Sequence, residues 1–240
     1  MGEKLDYRQP VYLQLREIVR SRIEEGEYLP GTAIPSENTL AKTYGNRLTV
    51  RNAVDALVHE GVLQRVQGKG VFVVGNRYEK QLDNCGGFIE EMADGNKRAS
   101  IKEQVKFLRP AGNKYANYFD IQPEAQIIYA KNFYTSSNEP LMIQEFYVPQ
   151  EVLPEMETVN SSVFTLREIF SFYGIQLGSM QQTMEIVNEQ QRIRKLLDIP
   201  EGVAIVELTC EYRDTNGRII AMTRSCIRSD KCTFRIKLRA

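Results

Sequence analysis

Apolar residues in the first third of the chain recur at helical spacing. Val11, Leu15, Ile18, Val19 and Ile23 form one stripe with charged residues behind it, which predicts a helix from near Pro10 to Gly26. Leu29-Pro30-Gly31 marks a turn. Pro35-Ser36-Glu37 reads as a second helix start: Ser36 can cap free amide groups, and Glu37 suits the positive end of the helix dipole. Leu40, Ala41 and Tyr44 supply its inward face, and Gly45 ends it. A third helix is expected from Arg47 to His59, burying Val50, Ala53, Val54, Leu57 and Val58. Leu48 and Asn52 point the opposite way, with Thr49 and Arg51 on the flanks. Val62–Val66 and Val71–Val74 read as short strands joined by the glycine-rich turn Gln67-Gly68-Lys69-Gly70.

The pattern changes after residue 75. Residues 76–87 are polar, lack periodicity and read as a linker between a domain at 1–75 and a second at 88–240. Beyond it, alternation predicts strands at Ile101–Leu108, Ala125–Tyr134, Leu141–Val148, Gln176–Val187, Val203–Tyr212, Arg218–Ile227 and Thr233–Leu238. Asn216-Gly217 is the strongest hairpin signal in the chain. Helices fit Asn113–Phe119, Val163–Tyr173 and Glu189–Leu197. The class is therefore α+β: three helices and a hairpin, then a mostly antiparallel sheet flanked by helices.

Hydrophobic residues make up 42% and charged residues 26% of the 240, as in globular chains. No apolar run is long enough for a membrane span, and Met1 to Gln9 lacks the apolar core of a signal peptide, so a cytoplasmic address without membrane contact is expected. Cys85, Cys210, Cys226 and Cys232 form no C-x-x-C pair, and ordinary reduced thiols are expected, with no metal or cofactor. Net charge is zero, so a nucleic-acid binder must concentrate its cations. Between Asn38 and Arg77 there are six Lys and Arg residues against two acidic ones.

A helix-turn-helix reads bases with the N-terminal residues of its second helix. Arg47, Leu48, Thr49, Arg51 and Asn52 stand there, preceded by Asn46; Ser36 stands at the start of the previous helix. Arginine can bond guanine bidentately, asparagine adenine, and threonine a phosphate or a thymine methyl. Gly68 and Lys69 at the hairpin tip would serve as a wing, with close backbone approach and a cation for phosphate. Local pattern alone fits a small core with a solvated face equally well.

Several segments together tip the balance. Pro10-Val11-Tyr12-Leu13-Gln14-Leu15, Gly31 to Glu37, Leu40-Ala41, Arg47 to Arg51, Glu60-Gly61 and Gly68 to Val73 resemble the winged-helix head of the GntR superfamily of bacterial regulators. The resemblance implies that Arg47 contacts operator bases and that Gly68 lies at the wing tip. Two departures stand out. Gly45-Asn46-Arg47 is one residue shorter than the usual turn, and Asn38 replaces a frequent phosphate-binding arginine, from which lower affinity is expected. From Phe88 onward the chain resembles the UTRA ligand-binding domain of the HutC subfamily, whose fold is shared with chorismate lyase. Glu139-Pro140-Leu141-Met142, Tyr147-Val148-Pro149, Ser162-Val163-Phe164, Leu197 to Pro200 and Tyr212 to Gly217 carry that likeness.

The resemblance implies an effector site holding Phe88, Asn132, Tyr134, Glu145, Ser162, Phe164 and Arg224. Relatives that sense phosphorylated sugars carry arginines where Asn132 and Tyr134 stand. A less anionic effector is therefore expected, such as a sugar, a sugar derivative or an amino acid, with Arg224 or Lys131 as alternative cations. The resemblance further implies a homodimeric repressor on a two-fold operator in double-stranded DNA, with the effector acting through the linker. The alternative is a chorismate lyase-like enzyme carrying a DNA-binding domain. The only histidine, His59, lies in the first domain, and no catalytic triad or zinc cluster is legible, so no enzyme activity is expected.

Overall fold

The computed structural model describes residues 10–74, 99–136, 139–187 and 191–232. Phe88, Cys85, the expected linker and the expected strand at Thr233–Leu238 lie outside them. Contacts divide the chain into two units, one of residues 1–78 with 158–175, the other of 79–157 with 176–240.

In the first unit, α1 (Val11–Glu24), α2 (Glu37–Tyr44) and α3 (Arg47–His59) precede a hairpin of β1 (Leu63–Val66) and β2 (Gly70–Val73). The expected stripes are the core: Leu15 and Val19 of α1, Leu40 of α2, and Val50, Ala53, Val54 and Leu57 of α3 close on Leu63 and Val73. Arg16 and Arg20 of α1 also reach Glu60 at the end of α3. The short turn is resolved locally. Gly45 adopts φ +102°, a region that favours glycine, and the Asn46 side chain accepts the Leu48 amide at 2.8 Å, so α3 starts with a capped end despite the missing residue.

The loop before α2 pairs with the wing: Gly31 N donates to Val73 O, Ile34 N to Val71 O and Val73 N to Thr32 O, each at 2.9 Å. Residues 158–175, expected within the second domain, join this unit. Asn160 N donates to Gly31 O at 3.1 Å, the Tyr173 hydroxyl to Pro30 O at 2.7 Å, and Phe72 meets Phe164 edge-on at 6.0 Å. The helix expected at Val163–Tyr173 is α5 (Leu166–Phe172), starting later because Thr165 and Glu168 form a reciprocal capping box.

The second unit is a six-stranded antiparallel sheet, in the order β3 (Ala99–Pro110), β4 (Gln126–Ser136), β5 (Glu139–Pro149), β8 (Ile219–Arg228), β7 (Ile205–Asp214), β6 (Leu177–Val187). Two helices cover the ends of one face. From α4 (Gly112–Phe119), Tyr115, Ala116 and Phe119 pack on Ile127, Tyr147 and Met222; beside α6 (Gln191–Leu196), Leu197 and Ile199 pack on Ile143, Ile205 and Cys226. Between them, Arg224 of β8 donates to Glu145 of β5 at 2.6 and 3.1 Å, and the Tyr129 hydroxyl of β4 donates to the same carboxylate at 2.7 Å. Burial alone would raise the Glu145 carboxyl, but the bonds from Tyr129 and Arg224 outweigh it and hold the group below its ordinary value. Burial also pushes the thiols of Cys226 and Cys232 up, to about 12 and about 11.

Two stability outcomes are expected. Gly31 has φ +81°, and a Cβ there would sit 2.9 Å from a methyl of the fully buried Val159. Gly31→Ala should therefore cost about 2–4 kcal/mol in urea denaturation, from left-handed strain plus overpacking; parental stability would show that the 158–175 segment does not pack on this loop. The second concerns Glu145, whose lowered folded value means its contribution is present above the unfolded carboxylate value and is lost as pH falls through the folded one. Glu145→Gln should lower stability by about 1–3 kcal/mol at pH 7, with the gap to the parent closing below about pH 4. A gap independent of pH would remove the ionised carboxylate from the account.

Candidate nucleic-acid interface and effector face

α3 is buried along one stripe, so the opposite stripe is exposed. Leu48 is 63% exposed, the Arg47 and Arg51 side chains are 68% and 62% exposed, and Asn52 is open to solvent, while Thr49 is half-buried. All five lie in the first half of α3, next to the wing that pairs with the loop before α2. The oxygens of Ser36 and Asn46 are engaged as helix caps, on the Thr39 and Leu48 amides. Asn38 is exposed on α2.

A set of charges that sequence reasoning missed ties these elements together. Arg65 of β1 donates to Glu37 of α2 at 2.6 Å and to Asp55 of α3 at 2.5 Å. Glu37 also stands 4.0 Å from Arg47, and Asp55 stands 3.9 Å from Arg51. Glu37 was legible only as a helix-start residue, because the partner that makes it more than that is 28 positions away.

The wing tip has a partner of its own. Gly68 is exposed, but the Lys69 ammonium donates to the backbone carbonyl and the hydroxyl of Ser162, both at 2.9 Å. Ser162 in turn donates to Asn160 at 2.7 Å. Thus Lys69, expected on DNA, and Ser162, expected on the effector, meet each other within the first unit. Phe164 is packed there too, between Phe72 and Phe172.

The sheet separates the remaining candidates. Asn132 pairs with Gln144 and Tyr134 with Met142, whereas Glu145 pairs with Lys131 and with Arg224. Directly opposed residues share a face, so Asn132 and Tyr134 lie on one face and Glu145, Arg224 and Lys131 on the other. The cause is a one-residue irregularity. Ser136 pairs with Glu139 and Thr135 with Pro140, but Tyr134 then skips Leu141. An unbroken hairpin would have placed Glu145 opposite Ala130, on the face of Asn132; the bulge turns it over. Glu145 and Arg224, expected in one effector site with Asn132 and Tyr134, thus lie on the opposite sheet face from them. Their bonds are to each other and to Tyr129, on the face that carries α4 and α6.

The residues that share the face of Asn132 form a buried polar row. Asn132 is 0%, Thr223 3% and Ser225 5% exposed, and Gln144 lies between Asn132 and Ser225 in register. The Tyr134 hydroxyl donates to Gln144 at 2.6 Å. On this face β4, β5, β7 and β8 carry no Lys or Arg among the paired residues, and β3 contributes Lys106, bonded to Glu103 at 2.9 Å. Gln144, Thr223, Ser225 and Lys106 were not legible as candidates. Period-two counting finds which residues of one strand share a face, but only the pairing register relates that face to the next strand's.

Among the described residues, no helix is long and apolar enough to cross a membrane, and no group of three or more His, Cys, Asp or Glu side chains could hold a metal ion.

Residues 11–73 match the model of the bacterial regulatory proteins of the gntR family, and residues 98–233, more than half the chain, match that of the UTRA domain. The chain is 28% identical over 229 residues to the uncharacterised HTH-type transcriptional regulator YurK of Bacillus subtilis, covering 95% of each. It is 24% identical over 238 residues to the mannosyl-D-glycerate transport/metabolism system repressor MngR of Escherichia coli, covering 98% of this chain and 96% of that one. The crystal structure of PhnF from Mycobacterium smegmatis shares the fold, with a TM-score of 0.59 at 18% identity, over 96% of this chain and 99% of that one. A capped and solvated reading helix beside a wing, followed in the chain by an antiparallel sheet with a buried polar row, has its explanation in this kinship: the chain belongs to the GntR family of bacterial regulatory proteins, in the branch that joins a winged helix-turn-helix to a UTRA domain, and is a DNA-binding transcriptional regulator.

Proposed function

We propose that the protein is a repressor that grips a two-fold operator as a homodimer and releases it when a small polar metabolite binds the UTRA sheet. The observation that carries the reading is the exposure of Arg47, Leu48, Arg51 and Asn52 along one stripe of a helix whose opposite stripe is wholly buried. Side chains so displayed can enter a major groove without any repacking of the core. Lys69 then exchanges Ser162 for a phosphate when the wing meets the duplex. The ordinary consequence for such a regulator is action in the cytoplasm, where its operator is.

Homodimer formation is supported by β6, an exposed edge strand of 11 residues. Met180, Met184 and Ile186 stand exposed on one side of it, and an edge that no other described strand pairs, with an apolar row, suits a second copy. The effector is assigned to the face of Asn132, Tyr134, Gln144, Thr223 and Ser225. Among the described strand residues its cation, Lys106, is balanced by Glu103, and Arg224 lies on the other face with Glu145. Hydrogen-bonding groups without a free guanidinium favour a neutral or zwitterionic ligand over a phosphate dianion. The neutral sugar or amino acid expected from Asn132 and Tyr134 is kept, with Glu145 and Arg224 removed from its contacts. Release follows if the ligand prefers the non-binding arrangement, and can be no stronger than that preference.

In fluorescence anisotropy with a duplex selected by the parent protein, Arg47→Ala should weaken binding by about 1–3 kcal/mol and relax preference at one base position. Unchanged affinity and preference would reject α3 as the reader. For the ligand, calorimetric titration should show binding of neutral sugars or amino acids and none of sugar phosphates in the low-micromolar range, taken as roughly 1–10 µM. Asn132→Ala should abolish ligand-induced release of the duplex while leaving the unliganded grip intact; tight sugar-phosphate binding, or release that survives the substitution, would overturn the assignment.

A further inference from the structure

The exposed arginines of α3 have long side chains with many rotamers, yet sequence reading needs them in a narrow range of orientations. The charges around Arg65 supply a means. Arg65 Nη1 takes Oε1 of Glu37, and Arg65 Nη2 takes Oδ1 of Asp55. The second oxygen of each carboxylate faces a reading arginine: Glu37 Oε2 lies 4.0 Å from Arg47 Nε, and Asp55 Oδ2 lies 3.9 Å from Arg51 Nε. One guanidinium therefore orients two carboxylates on two helices, and each carboxylate stands behind the stem side of one reader. The Nη groups of Arg47 and Arg51 are left for the groove, where a bidentate bond to guanine would use them.

The network also deals with charge. Two carboxylates beside a groove reader would repel phosphate, and the Glu37 side chain is only 14% exposed, so water screens it poorly. Arg65 offsets one of the two charges while leaving both carboxylates in place. A lysine could supply the charge, but not a planar fork spanning two acceptors.

We propose that Arg65 is a positioning residue for operator reading, acting through Glu37 and Asp55 to set the orientation of Arg47 and Arg51. The proposal rests on the reading of α3 as the groove helix. It differs from two simpler roles for the same arginine, a direct phosphate contact and a strut between wing and helices.

The test uses the full-length protein and two duplexes of equal length, one selected from a random pool by the parent and one scrambled. Binding is measured across a salt series for Arg65→Gln, Arg65→Lys, Glu37→Gln and Arg47→Ala, with thermal unfolding alongside. Arg65→Gln should cut the preference for the selected duplex about tenfold, with a smaller change on the scrambled one. Glu37→Gln should lower that preference as well, although it removes a negative charge near DNA and charge alone would tighten both complexes. Arg65→Lys should restore affinity for the scrambled duplex without restoring preference.

Uniform weakening on both duplexes, with a salt slope shallower by about one, would make Arg65 a phosphate contact and overturn the proposal. A lower melting temperature with unchanged preference would make it a strut and overturn it equally. If Arg47→Ala itself leaves preference intact, the groove-helix reading has failed. If Arg47→Ala lowers preference and the Arg65 and Glu37 variants do not, only the positioning role has failed.

Discussion

The whole reading head depends on the burial of one stripe of α3. Val50, Ala53, Val54 and Leu57 are at most 1% exposed, locked among residues of α1, α2 and the wing. A helix held that firmly on one side has no rotational freedom left, so its other side is set to within a residue. The exposure of Arg47, Leu48, Arg51 and Asn52 follows from it. The missing residue of the turn is absorbed before the helix begins, by the backbone of Gly45 and the side chain of Asn46, and so does not alter which stripe is buried.

The sheet obeys the same logic with a shorter period. Each strand offers one set of side chains to α4 and α6 and the other to the opposite face. The skipped residue at Leu141 decides which set Glu145 joins. Its partnership with Arg224 and Tyr129 then serves the centre of the helix-bearing face, between two apolar patches. The polar row of Asn132, Gln144, Thr223 and Ser225 is left on the other face, where burial makes each polar group costly unless it is partnered.

The 158–175 segment has a place within the first unit that spacing could not announce. It lies in the chain between two strands of the sheet, β5 and β6, yet Val159 packs on Gly31, the Tyr173 hydroxyl bonds Pro30, and Ser162 holds the wing lysine. Ser162, expected to serve the effector, and Lys69, expected to serve the duplex, thus bond one another.

What the amino-acid order determined by itself was what depends on near neighbours: the three helices and their stripes, the cap at Ser36, the winged hairpin, the strands among the described residues and the α+β class. Those follow from periods of 3.6 and 2 and from the chemistry of Gly, Ser and Asn, all of which act over a few residues. Tertiary structure alone decided which strand faces combine, that Glu145 and Arg224 turn away from Asn132, that Arg65 unites Glu37 with Asp55, and that Lys69 meets Ser162. Each of these joins positions whose relation runs through a pairing register or a folded loop, and a single extra residue in one strand is enough to invert it.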